Sequence, residues 1–272
     1  MLNIIQRNFF RLIKCGVYGT AEALEPMSIH KWNKLYQMGH LHNVNPFIYQ
    51  GLLKCKDQFN LKLLPQQWQQ WELANFQQMQ DADDEELLRP YNLTNPIINR
   101  QLQNILDDEQ SDINTRRMLI QIIRIARHIL NWGLPLRLLI DLGVNLRDNT
   151  EKVDYEVLND WITRLRFTQM AQLESALLIE LFGFTADDIP FAGGDVDNKK
   201  ANIVARELAE YTSNHQNFYF SQSPDSIFVH ASGGNALISH IRRSARYMRF
   251  IPSEALTNFF ASFAHSLTHI EE

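Results

Sequence analysis

The stretch TQMAQLESALLIELFGF, residues 168–184, decides the fold class. It carries apolar side chains on nearly every face, and a helix of that kind is stable only when other elements surround it. We therefore predict that it is the central helix of the second half of the chain. The side chains expected to be almost wholly buried are Leu173, Leu177, Leu178, Leu181 and Phe182, with Trp161 packed nearby. Glu180, in the same run, is interpreted as a core carboxylate paired with an arginine.

Helical periodicity continues on both sides of this segment. Apolar residues three and four positions apart recur along most of the chain, and helix start and stop signals separate the runs. Ser28, Asn95 and Asp154 each precede such a run and are predicted N-caps, with Pro96 at the first helical position of its helix. Gly16 is the predicted C-cap of the first helix.

The pattern indicates an all-α fold, a multi-helix bundle of about ten to twelve helices. Strands require alternation with a period of two, which is scarce here, and we expect at most a minor β-hairpin near residues 217–231. Pro65 is predicted to open a longer helix. Its large apolar residues are Trp68, Trp71, Leu73, Phe76 and Met79.

An acidic and turn-rich segment, residues 81–96, is the predicted boundary within the chain. Boundaries between structural units usually fall in polar segments of this kind. We divide the chain into an N-terminal helical region, residues 1–95, and a C-terminal helical domain, residues 96–272. The two parts are expected to pack as one unit.

Composition places the chain among ordinary globular proteins. Hydrophobic residues make up 45% and charged residues 21% of its 272 positions, which suffices for a sizeable core. The formal net charge of −5 argues against a specific nucleic-acid partner, because such domains are usually basic. Two cysteines, Cys15 and Cys55, are too few for a disulfide framework and are interpreted as small buried residues. The chain shows no membrane span and no signal-peptide core, so we expect a cytoplasmic protein.

The acidic pair Asp195 and Asp197 follows two glycines and has the spacing with which nucleotide-transferring enzymes hold magnesium. Those enzymes need the pair on a strand, and no apolar strand flanks it here. Asp197 and Asn198 instead stand where a helix beginning at Lys199 needs its N-cap. We therefore interpret the stretch as a capping loop.

Two histidines near the end of the chain, His265 and His269, are four residues apart, which places both imidazoles on one helical face. A metal site usually needs three convergent ligands, and no third ligand is evident beyond Glu271 and Glu272. Surface histidines near a helix C-terminus, where positive charge is favourable, are the alternative interpretation. We predict no metal site and no cofactor.

Arginines concentrate on single faces of two predicted helices. The set comprises Arg116, Arg117, Arg124 and Arg127 on the first helix and Arg242, Arg243, Arg246 and Arg249 on the second. Guanidinium groups bind phosphate or carboxylate in bidentate fashion, so the set is a candidate site for a phosphate-bearing ligand or an acidic partner. The alternative is that both faces are solvated and paired with the protein's own carboxylates.

Four stretches resemble a bacterial family of nucleotidyltransferase-like proteins related to the polymerase-β superfold. They are WNKLYQMGHLHNVNPFIYQGLL (32–53), PLRLLIDLGVNLRDNTEKVDYEVLNDWITRLRF (135–167), AQLESALLIELFGF (171–184) and IRRSARYMRFIPSEALTNFF (241–260). The second stretch matches a family segment in which an Arg-x-x-x-Asp helix, here Arg137 to Asp141, precedes an Asp-Tyr pair. The likeness covers about half of the chain.

The resemblance implies a helical scaffold that in the family carries a catalytic lobe with a Lys-Gly turn and an Asp-x-Asp strand. The corresponding interval here, residues 103–117, is too short for a strand-rich lobe, and its adjacent Asp107 and Asp108 are interpreted as helical. We therefore expect a non-catalytic relative that binds a partner or regulates an active enzyme. The alternative is a small-molecule or phosphate-binding module, including a nucleotidyltransferase-like enzyme, that uses the arginine faces. The oligomeric state is not predicted.

Overall fold

The computed structural model describes residues 2–80, 92–108, 110–131, 136–192, 248 and 250–257. These residues form nine α-helices and contain no strand. The helices are α1 Ile4–Tyr18, α2 Ile29–Leu41, α3 Asn45–Lys54, α4 Pro65–Gln80, α5 Pro96–Leu106, α6 Ile113–Asn131, α7 Leu136–Asn149, α8 Tyr155–Arg164 and α9 Thr168–Phe182. Short 3-10 turns occupy Thr150–Lys152, Ala186–Asp188 and Pro190–Ala192, and residues 252–257 are also helical. The all-α class is confirmed, and the predicted hairpin at 217–231 lies outside the described residues.

Side-chain caps fix where several helices begin. At the start of α2, Ser28 Oγ accepts the backbone N–H of Lys31 at 3.4 Å. Asn95 Oδ1 accepts two backbone N–H groups at the start of α5, at 3.0 and 3.3 Å. Asp154 Oδ1 does the same at the start of α8, at 3.1 and 3.0 Å. All three predicted N-caps are confirmed.

The C-cap of α1 is Gly19 and not Gly16 as predicted. The helix continues through Gly16, and Gly19 adopts the left-handed conformation that ends it, with φ of 71°. Gly16 lies instead at the crossing of α1 and α3, where a Cβ would collide with the carbonyl oxygen of Phe47. On the facing side, a Cβ on Gly51 would collide with the carbonyl oxygen of Leu12. The two glycines therefore let the backbones of α1 and α3 meet in the most extensive helix contact of the described residues.

The segment between α1 and α2 is held against α1 by polar side chains. Buried Asn8 exchanges two hydrogen bonds with the backbone of Glu25, at 2.9 and 2.8 Å. The Glu25 carboxylate pairs with both Arg7 and Arg11 at 2.7 Å. The hydrogen bond from Arg7 is the main reason that the pKa of Glu25 falls to about 2. Arg7 and Arg11 of α1 therefore form ion pairs within the protein.

The central helix of the second half is α9, as predicted. It contacts α6, α7 and α8, and left-handed Gly183 ends it with φ of 73°. The five predicted core side chains of this helix are each at most 3% exposed, and Trp161 of α8 is 7% exposed. Despite this apolar character, no helix among the described residues has the length and hydropathy to cross a bilayer.

The N-terminal and C-terminal helices share one continuous hydrophobic core. α1 contacts both α7 and α9, and the rings of Phe10 and Phe182 meet edge to face with centroids 6.2 Å apart. Tyr18 makes a similar contact with Phe184, with centroids 5.2 Å apart. The division between residues 95 and 96 stays a prediction, because these contacts describe packing and do not mark a boundary.

Candidate functional site

The four arginines predicted to share a face of α6 lie in different surroundings. Arg116 donates from Nη1 to the carbonyl oxygen of Leu106 at 2.9 Å, which satisfies the last turn of α5. Arg124 is only 6% exposed, whereas Arg127 is half-buried and Arg117 is exposed. Arg116 and Arg124 are therefore built into the packing of the helices. A ligand-binding role for the set stays a prediction.

Arg124 lies near an ion pair on α7 between Arg137 and Asp141. The Nε atom of Arg137 is 3.2 Å from both carboxylate oxygens of Asp141, and its guanidinium carbon lies 4.5 Å from the centre of the Phe47 ring. Burial raises the pKa of Asp141, and the charges of Arg137 and Arg124 act against that rise. The Arg-x-x-x-Asp pair of the family resemblance thus joins α7 to α3 and α6, which is a structural role.

Two imidazoles, those of His42 and His128, lie near each other between α2 and α6. Burial lowers the pKa of His42 to about 4, and the positive charge of His128 contributes to the shift. At neutral pH His42 is therefore uncharged, and its ring centroid lies 6.4 Å from that of Phe9. His42 caps the end of α2, and His40 belongs to that helix.

The interval that stands in place of the family's catalytic lobe, residues 103–117, runs from α5 into α6. Asp107 caps the end of α5, and Asp108 follows in the connector, where its Oδ1 accepts a backbone N–H at 3.1 Å. Asp112 accepts a backbone N–H at 2.7 Å at the start of α6. The prediction that Asp107 and Asp108 are helical is wrong. Short polar side chains in this connector hydrogen-bond the backbone locally, which favours a turn over a continued helix.

Several predicted site residues lie outside the described residues. They are Arg242, Arg243, Arg246 and Arg249, the loop residues Asp195 and Asp197, and the histidines His265 and His269. Within the described part of the chain, no group of three or more side chains is arranged to hold a metal ion. The arginine face on the later helix therefore stays a prediction from sequence.

The buried carboxyl of α9 is Glu174, which the sequence reasoning missed. Glu174 is fully buried, and neither of its oxygens has a hydrogen-bond partner among the described residues. Burial raises the pKa of Glu174 well above its usual range. Glu180, predicted to be a core carboxylate, is exposed. Orientation around α9 explains the difference, because at about 100° per residue Glu174 and Glu180 point in directions about 120° apart, and the neighbouring helices cover the side of Glu174.

The outer surface of α4 is the clearest unpartnered feature of the described residues. Its inner face is formed by Gln67, Trp71, Ala74 and Asn75, each at most 7% exposed. Leu73 and Phe76 are 62% and 61% exposed. At about 100° per residue these two side chains flank Gln69 and lie roughly opposite Trp71.

The apolar residues of α4 therefore lie on two opposite faces of the helix. Trp71 packs edge to face on Tyr36 with ring centroids 4.9 Å apart, which fixes the side of α4 that meets the core. Leu73 and Phe76 cannot reach that side, because a helix places them on its opposite face. We call Gln69, Leu73 and Phe76 the outer α4 surface. A helix with apolar residues on both sides usually has neighbours on both sides.

No family model, curated protein or solved structure matches the chain. The likeness to nucleotidyltransferase-like proteins therefore rests on the sequence stretches alone. A function must be argued from the chemistry and exposure of the described side chains.

Proposed function

We propose that this protein is a non-catalytic helical protein that binds a protein partner through the outer α4 surface. The observation that carries the proposal is the exposure of Leu73 and Phe76, 62% and 61%, directly opposite the face that α4 packs on the core. Regulation of an active nucleotidyltransferase relative is the role that the sequence resemblance supports.

The exposed pair offers binding energy that the fold itself does not use. Burying a leucine or phenylalanine side chain completely is worth about 1.5–3 kcal/mol. Trp71, Gln67 and Tyr36 fix the position of α4 on the other side, so a partner would meet a pre-formed helix. Binding to an ordered surface avoids part of the conformational entropy cost of association.

The partner that fits this surface is an amphipathic helix with an apolar seam and few charges. Gln69 lies between Leu73 and Phe76 on this face of the helix, and Glu72 is the only charged residue in the sequence of α4. Glutamine amides donate and accept hydrogen bonds, so the rim suits polar side chains of either kind. Charged residues are depleted at the centres of protein interfaces, which agrees with this composition.

The non-catalytic part of the proposal is supported by the interval 103–117. In the family that the sequence resembles, this interval would hold the catalytic lobe. Here it contains the end of α5, a short connector and the start of α6. Asp107 caps α5 through its backbone N–H, and the carboxylates of Asp108 and Asp112 accept backbone N–H groups at a turn and a helix start.

A nucleotide-transfer assay tests this part. Purified protein is incubated with each ribonucleoside triphosphate, with magnesium or manganese, and with protein, nucleotide and small-molecule acceptors. We expect no transfer above a heat-denatured control. Transfer that Asp195→Ala or Asp197→Ala abolishes would overturn the proposal, because those residues would then be catalytic.

Partner binding is tested with variants of the outer α4 surface. A photo-reactive phenylalanine analogue at Gln69 captures candidate partners in cells, and each candidate is then purified and titrated against the protein. We expect Leu73→Glu and Phe76→Glu to weaken the binding roughly tenfold or more, the equivalent of at least about 1.4 kcal/mol. Val157→Glu, at a 37% exposed apolar position on α8, is the matched control and should leave the affinity unchanged.

Two results would contradict this assignment. Equal weakening by Leu73→Glu and Val157→Glu would show that α4 is not the binding surface. Light scattering could instead show that the purified chain is a dimer and that Leu73→Glu makes it a monomer. In that case the surface joins two copies of this chain, and the proposal of a different partner fails.

A further inference from the structure

The two cysteines of the chain are neighbours in the fold although 40 residues separate them. Cys15 lies on α1, and Cys55 caps the end of α3. Their Sγ atoms are 3.5 Å apart, and Cys55 donates its S–H to the sulfur of Cys15. Both are free thiols, with Cys15 6% and Cys55 3% exposed. Two thiols in direct contact can be joined with only a small movement, since a disulfide is about 2.05 Å long.

The approach of the two sulfurs follows from the crossing of α1 and α3. Gly16 is the residue after Cys15, and it meets the α3 backbone where no Cβ would fit. Gly51 does the same on α3, one turn before Cys55. Packing therefore holds the two thiols together independently of any bond between them.

A cation lies beside the pair. Lys54 Nζ donates to the backbone carbonyl oxygens of Cys15 and Gly16, at 3.1 and 3.0 Å. Burial and the hydrogen bond to Cys15 raise the pKa of the Cys55 thiol, and the charge of Lys54 acts against that rise. Because Cys55 holds its proton and donates it to the Cys15 sulfur, Cys15 is the sulfur placed to react first.

We propose that Cys15 and Cys55 form a reversible oxidation site, in which hydrogen peroxide converts the two thiols into a disulfide that links α1 to α3. The Cys15 sulfur gives up its proton and attacks one peroxide oxygen. The O–O bond breaks, a sulfenic acid forms, and the released hydroxide takes up that proton to give the first water. The Cys55 sulfur then attacks the sulfenic sulfur, and the S–O bond breaks. The hydroxyl group and the remaining proton leave as water. In total two thiols and one peroxide yield one disulfide and two waters, with two electrons passing to the peroxide.

Wild-type protein gives the primary test, so no variant has to fold. The full chain is reduced, freed of reductant and treated with hydrogen peroxide under native conditions. Remaining thiols are then alkylated in denaturant and counted by intact mass. We expect both thiols to be lost together, a peptide containing the 15–55 crosslink, and full recovery after dithiothreitol. The melting temperature should rise by several degrees, because a crosslink restricts the unfolded chain.

Variants test the order of the two steps. Cys55→Ala should leave a sulfenic acid on Cys15 that dimedone traps, and Cys15→Ala should give much less adduct at Cys55. A Cys15→Ala, Cys55→Ala protein with Gln69→Cys provides an exposed thiol that reports the activity of the oxidant. Lys54→Gln removes the cation that acts against the raised pKa of Cys55, and it should slow the formation of the disulfide.

Three results would overturn the proposal. Both native thiols could stay fully alkylatable under conditions that oxidise the cysteine at position 69. The two thiols could be oxidised only when the protein is unfolded. The only disulfides formed could join separate chains. Each result would show that contact between the sulfurs in the folded protein does not produce the crosslink.

Discussion

The Glu174 carboxyl is fully buried, and neither of its oxygens has a hydrogen-bond partner among the described residues. An ionised carboxylate in such a position is costly, so the proton is retained and the pKa rises. The unfolded chain ionises near the ordinary value of 4.5. Unfolding at a pH between 4.5 and the folded-state pKa therefore releases a proton from Glu174. The free energy of unfolding must then fall as pH rises from 4.5 toward the folded-state pKa.

Neutral replacements of Glu174 should remove this pH dependence. We expect the stability advantage of Glu174→Gln over the wild type to be absent near pH 4 and to grow as pH rises from 4.5 toward the folded-state pKa of Glu174. Glu174→Met, which also removes the unsatisfied oxygens, should raise the free energy of unfolding at pH 8 by about 1–3 kcal/mol. Urea unfolding at a series of pH values measures both effects. Parallel pH profiles for wild type and Glu174→Gln would contradict the assignment.

For single helices, the sequence predicts where several of them begin, but it does not predict how the helices are oriented against one another. Ser28, Asn95 and Asp154 cap helices because their side chains bond backbone groups two or three residues away, an interaction contained in the sequence itself. Gly16 carries the same local signal as Gly19. Only the crossing with α3 makes Gly16 a packing residue.

For the candidate-site residues too, contacts between helices decided what the local sequence could not. The α4 pattern held enough apolar residues for two faces, and contacts with Tyr36 decided that Trp71 is buried and Leu73 exposed. In α9 both glutamates interrupt an apolar run, and only the packing of α6, α7 and α8 around the helix makes Glu174 the buried one. The contact of Cys15 with Cys55 had no sequence signal, because it depends on how α1 crosses α3.

The α1–α3 crossing predicts the effect of a single methyl group. Gly51→Ala places a Cβ against the carbonyl oxygen of Leu12, a backbone atom that cannot rotate away. We expect a net loss of about 1–3 kcal/mol of stability from overpacking, although alanine favours an isolated helix by up to about 1 kcal/mol. Gln50→Ala, at an exposed neighbouring position on α3, is the matched control and should be nearly neutral. Denaturant unfolding measures both variants, and an unchanged or raised midpoint for Gly51→Ala would show that the helices can separate at no cost.

At the scale of the whole molecule, a buried carboxylate ties residues 252–257 to the start of α5. Glu254 is 1% exposed, and its two oxygens accept the backbone N–H groups of Thr94 and Asn95, at 2.7 and 3.1 Å. The Thr94 and Thr257 hydroxyl groups are 2.7 Å apart beside it. A negative charge is favourable at a helix N-terminus, where backbone donors lack partners within the helix. Segments 160 positions apart in sequence therefore share one buried polar contact.

Removing this contact should destabilise the protein without disturbing a hydrophobic contact. We expect Glu254→Ala to lower the free energy of unfolding by about 1.5–3 kcal/mol, because two partly buried N–H donors lose a charged acceptor. Glu254→Gln keeps one oxygen and should lose less. Leu256→Ala, at a 45% exposed position of the same segment, is the control and should change stability little. Hydrogen exchange adds a local readout, because the amides of Thr94 and Asn95 should exchange faster in Glu254→Ala. If their exchange is unchanged while stability falls, Glu254 stabilises the fold by some other contact and does not hold α5 at its N-terminus.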